Sequence, residues 1–263
     1  MLAVLGWHAD SRSQETGEGT FGDYRLQHVK RGKYMAFTSW RGTLGCIKPT
    51  KRPGSLEELI RMLPEGIGVV PLYLSISKGT TEEFKRSVEP FEPMVKELAE
   101  LECDLIHPEG APPFMFLGYK GEAELLKKWE KKYKVPMFTS GTNHVRALRA
   151  LKAKKIVGAT YFTGQINDLF AKYFKEAGFN VLSMDGIDVP FDQIQNLSSE
   201  MVYAHIKKMF LKHKGADAIY MLGSGWRVLP VIDMLERDLG VPVIHPVPAR
   251  AGKSSTASRS TSR

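Results

Sequence analysis

Asp104-Leu105-Ile106-His107-Pro108-Glu109-Gly110 returns far downstream as Asp217-Ala218-Ile219-Tyr220-Met221-Leu222-Gly223. Both stretches read D-x-I-x-x-x-G, an apolar run closing on glycine. A second shared piece follows each of them, Val135-Pro136-Met137-Phe138 and Val241-Pro242-Val243-Ile244. An opening precedes each, a strand running into a polar loop: Gly45-Cys46-Ile47-Lys48-Pro49-Thr50 and Ile156-Val157-Gly158-Ala159-Thr160-Tyr161. Matches recurring in the same order indicate a duplicated half-domain. Around them, short apolar runs at 43–47, 68–74, 104–107, 135–138, 155–159, 180–184, 217–222 and 241–244 read as buried parallel strands. Period-3.6 stretches separate the runs, such as Phe84/Val88/Phe91/Val95/Leu98 and Ile166/Leu169/Phe170/Phe174. Pro90 and Pro93 predict a late start, kink or break in the first of these, and Gly178 stops the second. The βαβα alternation implies an α/β fold of two pseudo-symmetric, doubly wound parallel-sheet lobes. Ligands in such sheets bind at the carboxyl ends of the strands, which sets Gly110 and Gly223 facing each other across an inter-lobe cleft.

The expected division is an N-terminal extension at 1–40, a first lobe at 41–140 plus 240–250, a second lobe at 141–239 and a disordered tail at 251–263. The extension is polar and Gly-rich, and the tail is Ser/Thr/basic low complexity. No apolar run suits a membrane span, and Met1 to Gly6 lacks the pattern of a signal peptide, so a soluble cytoplasmic protein is expected. Cys46 and Cys103 are the only cysteines, in no metal-like spacing, and fit a reducing compartment. The formal net charge of +8 draws on the tail and on a lysine face at Lys127, Lys128, Lys131, Lys132 and Lys134 beside Leu125, Leu126 and Trp129. That pattern reads as a solvated helix face rather than a nucleic-acid surface, and the charge favours anionic substrates. His107, His144 and His245 come from separate strand ends without ligand spacing, so no metal is expected. A homo-oligomer stays open.

From 43 to 248 the chain resembles the aspartate/glutamate racemase superfamily, most closely its arylmalonate decarboxylase and maleate cis-trans isomerase branch. The residues that carry this are the first loop 45–50, Met62-Leu63-Pro64-Glu65-Gly66, Thr142 with Leu148-Arg149-Ala150-Leu151, Ala159-Thr160-Tyr161 with Asn167, and Leu239-Gly240-Val241-Pro242-Val243 leading to Pro248-Ala249. The resemblance implies cofactor-free chemistry on small acids by a pair of cysteines, one per lobe; the decarboxylase keeps only the second. Here the first cysteine position falls on Gly110, or by a one-residue shift on Glu109, and the second on Gly223 beside Ser224. Both thiols are absent, which disfavours racemisation and thiol-adding isomerisation by the family route.

What the resemblance leaves is an anion-holding cleft. Pro49, Gly110, Ala111, Gly223 and Gly225 are expected to line it. Tyr161 matches the family's carboxylate-binding tyrosine, Thr142, Asn143, Asn167 and Ser224 add polar groups, and Arg227 is placed for a second carboxylate. Glu109 is the expected replacement proton donor, its pKa raised by an apolar wall. Plainer roles stand beside these: tight turns for the glycines, packing for Tyr161, an N-cap for Thr142, a solvated acid for Glu109, a helix-face charge for Arg227. The sequence thus predicts a cofactor-independent lyase that decarboxylates a malonate-type acid through an enediolate. Glu109, Tyr161 and Ser224 would be its catalytic groups. An isomerase or racemase using non-cysteine groups, or a silent small-acid binding protein, are the alternatives.

Overall fold

Apolar runs too short for helices pair here as two parallel sheets. The computed structural model describes residues 39–261 except 224, 227 and 228. The first sheet holds β1 (Gly42–Lys48), β2 (Ile67–Tyr73) and β3 (Leu105–Pro108) in the order β2-β1-β3. The second holds β4 (Lys155–Thr160), β5 (Asn180–Gly186), β6 (Ala218–Met221) and β7 (Val243–Ile244) in the order β5-β4-β6-β7. Every pairing is parallel. Each sheet is wound alike: its opening strand is central, the next pairs on one side, and the D-x-I strand on the other.

The duplication reaches individual hydrogen bonds. Asp104 N–H donates to Thr43 O and Asp217 N–H to Lys155 O, while Glu109 N–H donates to Ile47 O and Leu222 N–H to Ala159 O. The Asp104 carboxylate accepts from Thr43 N–H, and that of Asp217 from Lys155 N–H. Glu130 and Glu236 likewise take the N–H of Met137 and of Val243. These bonds pair Lys48 with Thr160, Glu109 with Leu222 and Gly110 with Gly223 as structural counterparts.

The helices follow their patterns, with informative exceptions. Pro90 and Pro93 divide the long apolar pattern into α2 (Thr81–Arg86) and α3 (Phe91–Glu100), because proline ends a helix but is tolerated in a first turn. The lysine face lies outward on α5 (Gly118–Tyr133), whose Leu126 and Trp129 are buried. Helix α7 (Gln165–Glu176) is followed by Gly178 at φ 95. At 135–138 the expected strand is reduced to one bridge, Ile106 to Met137, because the chain turns at Thr139 into α6 (Ser140–Ala150). Its counterpart β7 joins the second sheet, not the first lobe to which 240–250 was assigned.

The expected disordered tail is also corrected. Helix α10 runs over Pro246–Thr261 and packs on α1 (Ser55–Met62), α6 and β1, with Ala251 and Ser254 buried. Small side chains that read as low complexity permit this close approach to neighbouring helices. Thus β7 completes the second sheet while the helix after it leans on the first lobe. The N-terminal extension lies outside the described residues but for 39 and 40. No described helix is long and apolar enough to cross a membrane.

Candidate active site

The carboxyl ends of β1, β3, β4 and β6 open onto one pocket. Gly110 (φ 113) and Gly223 (φ 120) turn the chain at its rim, in backbone conformations that L side chains rarely adopt. Pro49, Glu109, Gly110, Ala111, Tyr161, Gly223 and Gly225, all read from the sequence as site residues, line this pocket.

The first-lobe wall is charged. Lys48 ends β1 after an apolar run and is only 2% exposed, yet it faces the pocket. Its Nζ donates to Ser55 Oγ at 2.5 Å and to Glu109 Oε2 at 2.8 Å. Arg250 Nη1 reaches the same Glu109 oxygen at 2.5 Å from α10. Here the expectation for Glu109 is overturned. Burial alone would raise its carboxyl, but the Arg250 and Lys48 cations outweigh it and hold the pKa down at about 2. Glu109 is a fixed carboxylate, not an acid in waiting. The adjoining loop offers fewer backbone donors than its glycine suggested. Gly110 N–H is given to Ser140 Oγ at 3.2 Å, and Pro112 has none.

The facing wall is aromatic. Arg52 lies over the Phe191 ring at 4.0 Å and donates to Phe191 O. Its Nη1 and the Tyr161 hydroxyl both lie 3.6 Å from where a Cβ on Gly225 would stand, so they converge on one small space. Burial raises the Tyr161 phenol above its ordinary value, with nearby Arg52 opposing, which keeps it a hydrogen-bond donor at neutral pH. Phe84 and Phe162 complete this side, and Trp226 meets Tyr161 edge-on at 5.2 Å. A Cβ on Gly223 would stand 2.3 Å from Tyr161 Cε1 and 2.7 Å from Trp226 Nε1, so rings fill the space of a side chain there.

Other expected residues are placed elsewhere. Thr142 shares a capping box with Thr139, the true N-cap of α6. Asn143 Oδ1 accepts from Arg146, and Asn167 Oδ1 accepts from the Thr160 hydroxyl, bracing the end of β4. None of the three lines the pocket, so they are withdrawn as ligand contacts. Ser224 and Arg227 lie outside the described residues. Cys46 is fully buried in β1 and its thiol is pushed up to about 12, chiefly by burial, so it is not an activated nucleophile.

Of the three histidines, His107 and His245 brace the strand ends. His107 Nδ1–H donates to Phe138 O, and His245 Nε2–H donates to Gly223 O while its Nδ1 accepts from Val247 N–H. Burial lowers both to about 3, and lowers His144 well below its ordinary value, so all are neutral. Among the described residues no His/Cys/Asp/Glu group is arranged to hold a metal.

Sequence reasoning missed Lys48, Arg52, Ser55, Ser140 and His144, which also line the pocket. Lys48 had a signal, a charge closing the apolar run Cys46-Ile47 where a buried parallel strand expects none. Arg52 had none beyond its place in a strand-end loop.

A family model described as arylmalonate decarboxylase matches residues 49–260. No curated protein sequence matches the chain. Solved structures resemble it in fold. A glycine-to-cysteine variant of arylmalonate decarboxylase in a sulfate-associated form superposes at TM-score 0.72 and 18% identity, over 82% of this chain and 93% of that one. Maleate isomerase Iso from Pseudomonas putida S16 gives 0.73 and 19%, over 82% and 92%. Nocardia farcinica maleate cis-trans isomerase bound to TRIS gives 0.75 and 18%, over 83% and 92%.

Proposed function

This chain belongs to the arylmalonate decarboxylase family, and on that premise we propose that it is a cofactor-independent lyase releasing carbon dioxide from a small malonate-type acid. The observation that carries the reading is the convergence of Arg52 and the Tyr161 hydroxyl on one small space of a pocket whose other wall holds Lys48. A planar guanidinium and a phenol together recognise a carboxylate and strengthen their hold as it gains charge. The substrate's other carboxylate would lie against Phe84 and Phe162. Charge is poorly solvated there, and loss of neutral carbon dioxide relieves it. The bond from the α-carbon to that carboxylate breaks, and its electron pair passes into the retained carboxylate as an enediolate. A proton on the α-carbon completes the reaction.

The missing thiols shape this choice. Addition of a thiolate to a double bond has no nucleophile among the described pocket residues. A reducing, cytoplasmic setting fits the two buried free thiols, Cys46 and Cys103.

Proton NMR in D₂O with a panel of substituted malonates, maleate, aspartate and hydroxy acids tests the reading. Carbon dioxide loss with deuterium at the α-carbon is the expected result. Isomerisation or α-exchange without carbon loss would transfer the site to a non-cysteine isomerase or racemase. Ligand line-broadening alone would make it a binding protein.

A further inference from the structure

We propose that Lys48 is the catalytic acid of this site, delivering its proton to the α-carbon from the first-lobe side alone. The inference rests on the decarboxylase reading and adds to it the group that replaces the absent thiol and the face on which the new bond forms.

Lys48 lines the pocket at the end of β1. An ammonium carries three protons, and Ser55 Oγ and Glu109 Oε2 account for two donors. Its nitrogen is therefore fixed in position with a proton in hand. Glu109, held as a carboxylate between Lys48 and Arg250, positions the ammonium without supplying a proton itself. The second lobe has nothing equivalent at the matching positions. Thr160 spends its hydroxyl on Phe162 O and Asn167, and the counterpart of Glu109 is Leu222. Among the described residues Tyr161 is the one competing donor on that side, and its phenol is made less acidic by burial.

In the step itself, an N–H bond of Lys48 breaks and its proton bonds to the α-carbon of the enediolate, whose electron pair forms the new C–H bond. The neutral amine left behind takes a proton from water. Net, a malonate dianion and one solvent proton give a monocarboxylate and carbon dioxide. With one acid on one wall, a malonate bearing two different substituents yields a single enantiomer.

The test uses the full chain with phenylmalonate and methyl(phenyl)malonate in D₂O. Wild type is expected to release carbon dioxide and to give one enantiomer of 2-phenylpropionate. Lys48→Arg keeps the charge beside Glu109 but is too weak an acid, and turnover is expected to fall by about 100-fold or more. A urea titration reports whether that variant is folded. In Lys48→Ala, added methylammonium is expected to restore part of the rate, which a merely structural lysine would not allow. Racemic product, or a folded Lys48→Arg within about threefold of wild type, overturns the role of Lys48 and leaves the decarboxylase reading standing. No carbon dioxide from wild type overturns both.

Discussion

The two lobes share a skeleton and differ in what they hang on it. Asp104 and Asp217 tie their sheets by the same bonds, and Gly110 and Gly223 turn out of equivalent strands at φ 113 and φ 120. At the strand ends, the first lobe carries Lys48, Glu109 and, reaching over from α10, Arg250; the second carries Thr160, Leu222 and, on α6, His144. One wall is thus a buried charge cluster, and the other is aromatic, with Arg52 lying over Phe191 as its charged group. A duplicated scaffold tolerates this because backbone bonds, not strand-end side chains, hold each sheet together. The strand ends are free to diverge toward chemistry on one side and shape on the other.

The sharpest way to break the comparison is to give the first lobe the second lobe's residue. Glu109→Leu leaves Lys48 and Arg250 buried without their shared anion. It is expected to cost about 3–5 kcal/mol of stability in a urea titration. Replacing all three, Lys48→Thr, Glu109→Leu and Arg250→His, removes the unpaired charges as well and is expected to recover at least half of that loss. If the single change costs under about 1 kcal/mol, the cations reach solvent and the charged wall is not closed.

Charge concentrated in the first lobe gives stability a pH dependence of its own, beside the loss on the acid side from His107, His144 and His245, which burial holds neutral in the folded chain. Glu109 sits at about 2 when folded against an ordinary 4.5, so its contribution is complete above about 4.5 and is lost as pH falls toward 2. Glu122 on α5 runs the other way. Burial raises it to about 7 although Tyr173 and Thr139 hydrogen-bond to it. Folding then favours the protonated carboxyl, and that stability, complete below about 4.5, is lost as pH rises through 7. Each limb should amount to roughly 3 kcal/mol from the size of its shift. Glu122→Gln is expected to remove the loss of stability as pH rises through 7 and to leave the losses on the acid side, as read from urea midpoints across pH. A variant that keeps the upper limb assigns it to another group.

The lobes were legible in the sequence because buried parallel strands are written as apolar runs, and because the repeat preserves the glycine its turn requires. The charged wall was not, since Lys48, Glu109 and Arg250 lie far apart in the chain and a long-range ion pair leaves no local pattern. Arg250 was hidden further by its neighbours: Ala, Gly and Ser in α10 have the composition of a tail, and only packing on α1 and α6 distinguishes them. Glu109 was found at the right place with the wrong charge, because an apolar wall was inferred where two cations stand. Thr142, Asn143 and Asn167 looked like ligand groups, but each bonds a neighbour within a few residues or on the same lobe and none lines the pocket.

The smallest expected effect separates the two glycines themselves. Both have a positive φ that L side chains rarely adopt, so an alanine at either strains the backbone by about 1–3 kcal/mol. They differ in room. A Cβ on Gly110 would meet Pro49 at 3.4 Å, an ordinary contact, whereas one on Gly223 would press into Tyr161 and Trp226 at 2.3 and 2.7 Å. Gly110→Ala is therefore expected to lose about 1–3 kcal/mol from strain alone, and Gly223→Ala about 1–3 kcal/mol beyond that, since two packed rings must move. The same crowding means that Gly223→Cys installs its thiol only by displacing Tyr161, the ring proposed to hold the carboxylate. Equal losses for the two alanine variants would show that Tyr161 yields freely, and the second wall would then be a movable one rather than a fixed counterpart to the first.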